Sequence, residues 1–355
     1  MLKQKRLVKI SIIIILCFVI IGYIGCTIIA LEAYSQSFER VEELSERYDF
    51  LSYFFWKDID QVKYSREEVH FNSGGNKLQG FIYGGSNNNG LVIISQGLGG
   101  TADCYFSMIM FFVDKGWRVF AFNNTGVSGS EGESIRGLTQ SVIDLDAALN
   151  FVKNSNRFSG LPVMLVGHSW GGYAVTAVLN YNHKINAVVS FAGYNNGSEL
   201  FKDIALSSVG GVYYVLSPQM WAIEKQLFGN TVQLTAVDGI NKADIPVMVV
   251  QSSDDDVILA NTTSIYAHRS KIKNPNVEFV YLDGGDASGH EFVFCSKGQR
   301  EYMQWADADW ESYKAKHGNV SKLQWANEIN FDKFKANELN EELMERINVL
   351  FNNYK

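Results

Sequence analysis

Residues 163–172 read Val-Met-Leu-Val-Gly-His-Ser-Trp-Gly-Gly. Four apolar residues of strand length run directly into Gly-x-Ser-x-Gly. The residues that follow are small (Gly171, Gly172, Ala174, Ala177), as suits a closely packed helix. A chain that reverses from strand to helix in so few residues brings backbone against backbone. Glycines two positions either side of the serine remove the Cβ atoms that would collide. Ser169 is left protruding at the C-terminal edge of a sheet and at a helix N-terminus, where backbone N–H groups favour negative charge. The same ten residues also read as a Gly-rich packing turn; the strand–turn–helix context favours a nucleophile.

Working outward, short apolar runs recur at Leu91–Ser95, Trp117–Phe122, Ala187–Phe191, Val247–Val250 and Val277–Leu282. Continuous runs of this kind suit strands buried on both faces of a mainly parallel sheet. Before them, Glu68–Phe71 and Lys77–Tyr83 flank Ser73-Gly74-Gly75-Asn76, a hairpin pattern. Thr139–Lys153 places Val142, Leu145, Leu149 and Val152 on one helical face. Tyr173–Leu179, Ile258–His268 and the stretch from Phe331 to Phe351 also read as helical. Pro162, Pro246 and Pro275 each stand just before a strand, where a missing N–H costs little. Strand and helix in alternation give an α/β class, doubly wound and mainly parallel. One interval, Asn195 to Asp244, holds some fifty residues with no clear strand. A structureless loop that long is unusual inside a compact domain, so a helical cap insertion is expected at about 195–244.

The N-terminus reads differently. Ile10–Leu31 carries no charge and as a helix would be about 33 Å long, enough to cross a bilayer core. Lys3, Lys5, Arg6 and Lys9 precede it, and Glu32, Glu39, Glu42 and Glu43 follow. Positive residues stay cytoplasmic, so the rest of the chain is expected outside the cytoplasm, on a single-pass cell-membrane anchor. Two other readings stay open: a cleaved signal peptide, although no A-x-A-like site follows, and a lipoprotein signal at Tyr23-Ile24-Gly25-Cys26. The expected organisation is a basic stub and anchor over 1–31, a helical juxtamembrane linker over 32–64, and the α/β domain over 65–355. Within the linker, Phe50, Tyr53, Phe54, Phe55 and Trp56 form either an interfacial foot or a segment packed on the domain.

Setting aside the four N-terminal bases leaves 27 of the 31 basic residues against all 38 acidic ones, a net charge of −11 from Glu32 onward. That argues against nucleic acid or anionic lipid headgroups as the main partner. Cys104 and Cys295 are the two cysteines outside the apolar run; two make neither a disulfide framework nor a zinc site.

Together these motifs resemble the α/β-hydrolase superfamily over roughly residues 68 to 295, in the family's order. Ser95-Gln96-Gly97-Leu98-Gly99-Gly100 resembles the His-Gly-x-x-Gly turn after the third strand. By that match the backbone N–H groups of Leu98 and Trp170 form the oxyanion hole, with Gln96 where the family has His. Asn123–Gly132 resembles the Asp-x-Arg-Gly-x-Gly-x-Ser loop, from which Asn123, Thr125 and Ser128 depart. The family order is nucleophile, acid, histidine. His290, in the loop after Val277–Leu282, stands where the family carries its base. Pro246 to Val257 resembles the strand and turn that end in Asp-x-Val, which selects Asp255 as the acid; Asp254 and Asp256 flank it, and the three also read as a solvated turn or a weak cation site.

The resemblance implies a Ser169–His290–Asp255 triad, an acyl-enzyme intermediate, and neither metal nor organic cofactor. The expected substrate is a small-molecule or lipid acyl ester, held by an apolar lid face drawn from Val212, Tyr213, Val215, Leu216 and Trp221. The alternatives are a serine aminopeptidase, with Glu199, Asp203, Glu224 or Asp238 binding a free amino terminus, and a catalytically inactive binding protein. Oligomeric state is not legible.

Overall fold

The computed structural model describes residues 2–42 and 52–355. Eight strands form one sheet: β1 (Arg66–Ser73), β2 (Asn76–Tyr83), β3 (Leu91–Ser95), β4 (Arg118–Phe122), β5 (Val163–His168), β6 (Ala187–Phe191), β7 (Val247–Ser252) and β8 (Val277–Leu282). Their spatial order is β1-β2-β4-β3-β5-β6-β7-β8, and β2 alone runs against its neighbours. Among the described residues eleven α-helices form: α1 (Leu2–Ser37), α2 (Phe106–Asp114), α3 (Gln140–Asn154), α4 (Trp170–Ala177), α5 (Gly197–Val209), α6 (Tyr213–Phe228), α7 (Ala236–Lys242), α8 (Lys297–His317), α9 (Lys322–Glu328), α10 (Lys333–Ala336) and α11 (Glu341–Asn353).

The unbroken apolar runs follow from burial on both faces. Leu91, Ile93, Leu165, Val247 and Val249 point into one core, with Leu145 and Leu149 of α3, Val175 of α4 and Ile240 of α7. Val92, Ile94, Met164, Val166, Met248 and Val250 point into the other, with Ile109 and Phe112 of α2 and Met344, Ile347 and Phe351 of α11. Period-two alternation therefore assigns neighbouring residues to opposite cores, and neither set meets water.

Some expectations need amending. Residues 258–268 form turns with a short 3₁₀ segment at Tyr266–Lys271 instead of an α-helix. The C-terminal stretch is two helices, α10 and α11, because Asn340 caps a new helix by accepting from the Leu343 N–H. Before them lie α8 and α9, which pack through Ala306, Trp325 and Ala326 into a small core of their own. Between β6 and β7 the chain forms α5, α6 and α7.

Helix α1 is long and apolar enough over Leu16–Ser37 to cross a membrane, as an anchor or a signal sequence would be. It runs past Leu31 to Ser37, and Ala30, Tyr34 and Phe38, four residues apart, are buried in the protein. In the linker, Glu43 and Phe50 lie outside the described residues. Phe54 is buried against the domain and meets Phe334 edge-on, 5.0 Å between ring centroids.

Candidate active site

The turn from β5 into α4 carries Ser169 at φ 55°, ψ −112°, a conformation a non-glycine residue holds only when its surroundings impose it. Here they do. The Ser169 N–H donates to the Phe191 carbonyl at 2.8 Å, and the Ser169 carbonyl accepts from the Tyr173 N–H at 3.0 Å. A Cβ on Gly167 would stand 2.2 Å from the Gly171 carbonyl oxygen, and one on Gly171 would stand 2.0 Å from that of Ser95. Both positions exclude every side chain. The Gly-x-Ser-x-Gly spacing is thus a packing requirement of this turn.

Three side chains from three loops meet there. The Ser169 hydroxyl donates to His290 Nε2 at 2.9 Å. His290 Nδ1 lies 3.0 and 3.1 Å from the two carboxylate oxygens of Asp255. Asp255 is itself held: Oδ1 accepts from the N–H groups of Val257 (3.0 Å) and Ile258 (2.7 Å), and Oδ2 from the Gln251 amide at 3.0 Å. Its side chain is fully buried, so this carboxylate orients the imidazole without competing water.

The flanking acids do other things. Asp254 Oδ1 accepts from the Ser252 hydroxyl (2.6 Å) and from the Gly289 N–H (2.8 Å), bracing the loop one residue before His290. Burial would raise its carboxyl, but these hydrogen bonds prevail and hold it below the usual carboxylate value. Asp256 is exposed.

Leu98 and Trp170 face the same cavity as Ser169 and His290. The Leu98 N–H has no acceptor among the described residues, and Trp170 opens α4, where an N–H has no partner inside the helix. The Gln96 amide donates to the Gly100 carbonyl at 2.9 Å, closing the turn that presents Leu98. The departures at Asn123 and Thr125 also have partners. Asn123 Oδ1 accepts from the Ala102 N–H, and the Thr125 N–H and hydroxyl both donate to buried Asp144.

Two residues had no role in the sequence reading. His168, inside the elbow, is buried with Nδ1 3.0 Å from the Tyr105 hydroxyl and Nε2 3.1 Å from the His290 carbonyl. Burial, reinforced by repulsion from His290, lowers its pKa to about 3. A neutral ring protonated on Nε2 satisfies both contacts: Tyr105 donates to Nδ1, and Nε2–H donates to His290. Tyr105 in turn accepts the Gly97 N–H at 2.8 Å. This chain ties the Leu98 turn to the His290 backbone. Its local signal in sequence was only a histidine inside the elbow, one residue before Ser169.

The cavity over Ser169 measures about 480 Å³, within the range of small-molecule sites. Leu138, Leu200, Ile204, Val257, Ile258 and Phe294 supply much of its apolar wall, and α10's Ala336 with Asn337 closes one side. The expected lid face does not line it. Val212, Val215 and Trp221 are instead exposed on the outside of the α5–α6 hairpin, while Leu200 and Ile204 of α5 line the cavity. Of the cap acids, Glu199 pairs with His268 at 3.0 Å, Glu224 accepts from Tyr34 at 2.8 Å, and Asp238 accepts from the Thr235 hydroxyl at 2.7 Å. None of these, nor Asp203, is among the described lining residues; Glu291 is. Cys104 and Cys295 are free thiols in the wall, pushed by burial to about 11 and about 12.

Residues 86–226 match the model of a family described as serine aminopeptidase, S33. No curated protein matches the chain. Among solved structures, an esterase of Pyrococcus furiosus is 15% identical with a TM-score of 0.52, over 74% of this chain and 94% of that one. An acylaminoacyl peptidase of Pyrococcus horikoshii is 15% identical with a TM-score of 0.47, over 64% of this chain and 37% of that one. With the β5–α4 elbow and the strand order, the likeness to the Pyrococcus furiosus esterase shows that the chain has the α/β-hydrolase fold.

Proposed function

We propose that this chain is a membrane-anchored serine hydrolase that cleaves acyl esters. His290 Nε2 takes the Ser169 proton as the hydroxyl oxygen attacks the acyl carbon. The N–H groups of Leu98 and Trp170 stabilise the resulting oxyanion, and Asp255 holds the imidazole with its proton on Nδ1 and stabilises the imidazolium. His290 then protonates the leaving alcohol, and water attacks the acyl-enzyme by the same route in reverse. The anchor is α1, with Lys3, Lys5, Arg6 and Lys9 on the cytoplasmic side and residues 65–355 outside.

The observation that carries the substrate class is the cavity wall. An acyl chain beside Ser169 meets Leu138, Leu200, Ile204 and Val257, while Glu199, Glu224 and Asp238 are engaged elsewhere. Two observations favour the second reading, a serine aminopeptidase: the family model that matches, and Glu291 in the cavity wall. Turnover of p-nitrophenyl butyrate and octanoate against a set of aminoacyl p-nitroanilides separates them. Ester turnover that rises with acyl length supports the first reading. Turnover confined to substrates with a free α-amino group, and lost in Glu291→Gln, establishes the second.

A further inference from the structure

From Ile204 to Ile223 the sequence runs for twenty residues without a charged side chain. The stretch comprises the end of α5, the Gly210–Gly211 turn and most of α6. Met220 is buried and Ile223 packs against the core, but many of its apolar residues face outward. Ile204, Val209, Val212, Tyr214, Val215 and Trp221 are each between 46% and 62% exposed. Scattered exposed apolar residues need no explanation, but a contiguous charge-free hairpin of them marks a surface that something covers.

What lies beside it identifies the cover. Helix α6 packs on α1. The Tyr34 hydroxyl of α1 donates to the buried Glu224 carboxylate of α6, and Leu31, Tyr34 and Ser35 share a groove with Ile223 and Leu227. Cys26, Ala30 and Tyr34 of α1, with Phe38 just beyond its end, recur every four residues on a face that the protein covers, Cys26 being half-buried. The other faces, with Ile20, Ile21, Ile24 and Ile28, are exposed. The end of α1 is also fixed to the domain. The Arg40 guanidinium donates to the carbonyls of Ser128, Ser130 and Gly132, and the Phe38 carbonyl accepts from the Ile135 N–H. A helix long and apolar enough to span a bilayer is therefore held against α6, and the medium around the exposed side of α1 extends to the hairpin beside it.

We propose that the α5–α6 hairpin is a membrane-binding surface, seated in the lipid interface beside α1 with Val212, Val215 and Trp221 among the acyl chains. This rests on the reading of α1 as a retained anchor. Tyr213, Tyr214 and Trp221 are the aromatic types that favour that depth, and no charge need be desolvated. The hairpin then has lipid on one side and the cavity on the other. Ile204, exposed and yet lining the cavity, stands at the rim between them, so a lipid acyl ester reaches Ser169 from the bilayer without crossing water.

The test uses the full chain in phosphatidylcholine vesicles whose acyl chains carry bromine, a contact quencher of tryptophan. The fluorescence of Trp221 is isolated as the difference between the wild type and Trp221→Phe. The proposal predicts that this component is quenched by the brominated lipid and is protected from iodide in the water. A component quenched by iodide and untouched by bromine, in chain that resists extraction with alkaline carbonate, overturns the proposal and leaves the anchor standing. Protection from both quenchers means that protein, such as a second copy, covers the face, and also overturns it. Release of the chain by carbonate overturns the anchor and this proposal together. As an independent arm, Val212→Asp with Val215→Asp should lower turnover of a long-chain ester embedded in the vesicle while leaving that of soluble p-nitrophenyl butyrate unchanged. Equal loss on both substrates refutes the lipid-facing role.

Discussion

Replacing Asp255 by Asn exchanges one buried oxygen for an amide nitrogen, and the surrounding donors dictate where it goes. Oδ1 accepts from the N–H groups of Val257 and Ile258, so the remaining oxygen is retained there. The new NH₂ then takes the Oδ2 position, 3.0 Å from His290 Nδ1 and 3.0 Å from the Gln251 amide nitrogen. It donates to Nδ1, which forces the imidazole proton onto Nε2, the atom that must accept the proton of Ser169. Loss of the correct tautomer at an otherwise intact triad costs about 10⁴-fold in kcat, equivalent to about 5 kcal/mol of transition-state stabilisation. Gln251 must also rotate away and give up its bond to the Ile258 carbonyl, a stability cost of about 1 kcal/mol. The assay is kcat on p-nitrophenyl butyrate at pH 8, with thermal unfolding as the control for folding. Asp256→Asn should be close to wild type. Asp254→Asn should fall between, because Asp254 braces Gly289 and does not touch the imidazole. A loss of tenfold or less in Asp255→Asn, or equal losses at all three positions, would refute the assignment of the acid.

Leu200→Ala should flatten the preference for longer acyl chains, since each methylene buried against the cavity wall gains about 0.8 kcal/mol, or about fourfold in kcat/KM; Trp221→Ala should leave the preference for soluble esters as it is, and the comparison of butyrate with octanoate esters reads both. Because His168 is held to about 3 in the folded chain against about 6.5 when unfolded, the unfolded chain binds the extra proton between those values. Its contribution to stability is fully present above about pH 6.5 and is lost as pH falls towards 3, at up to about 1.4 kcal/mol per pH unit. Denaturant midpoints between pH 7 and 4.5 should therefore fall less steeply in His168→Gln than in the wild type.

The sheet was legible because burial on both faces leaves a plain signature: Val163–Val166 and Val247–Val250 have no polar residue to confuse with a helix face. The elbow was legible because sterics at Gly167 and Gly171 admit no substitute. Asp255 was expected from the resemblance of Pro246–Val257 to the family's strand and turn, although three adjacent aspartates share one local pattern and only their hydrogen bonds distinguish them. The outward face of α6 could not be read from its pattern. Residues 212–221 are apolar enough for a core, and no local pattern shows that Leu200 and Ile204 line the cavity instead or that Tyr34 pairs with Glu224. Nor did the polar segment after His290 announce α8 and α9, since helices whose apolar residues meet mainly one another show little of a core-facing stripe. The Tyr105–His168 contact joins residues 63 apart, and no local spacing encodes it.

The central claim is that Ser169 is the nucleophile, and a fluorophosphonate probe tests it directly, because the probe phosphonylates a serine only where base and oxyanion donors act together. The account predicts that the intact chain is labelled, that peptide mapping finds the adduct on Ser169, and that Ser169→Ala, with unchanged thermal unfolding, takes up no label. Undiminished labelling of Ser169→Ala, or an adduct mapped to another residue, would contradict it.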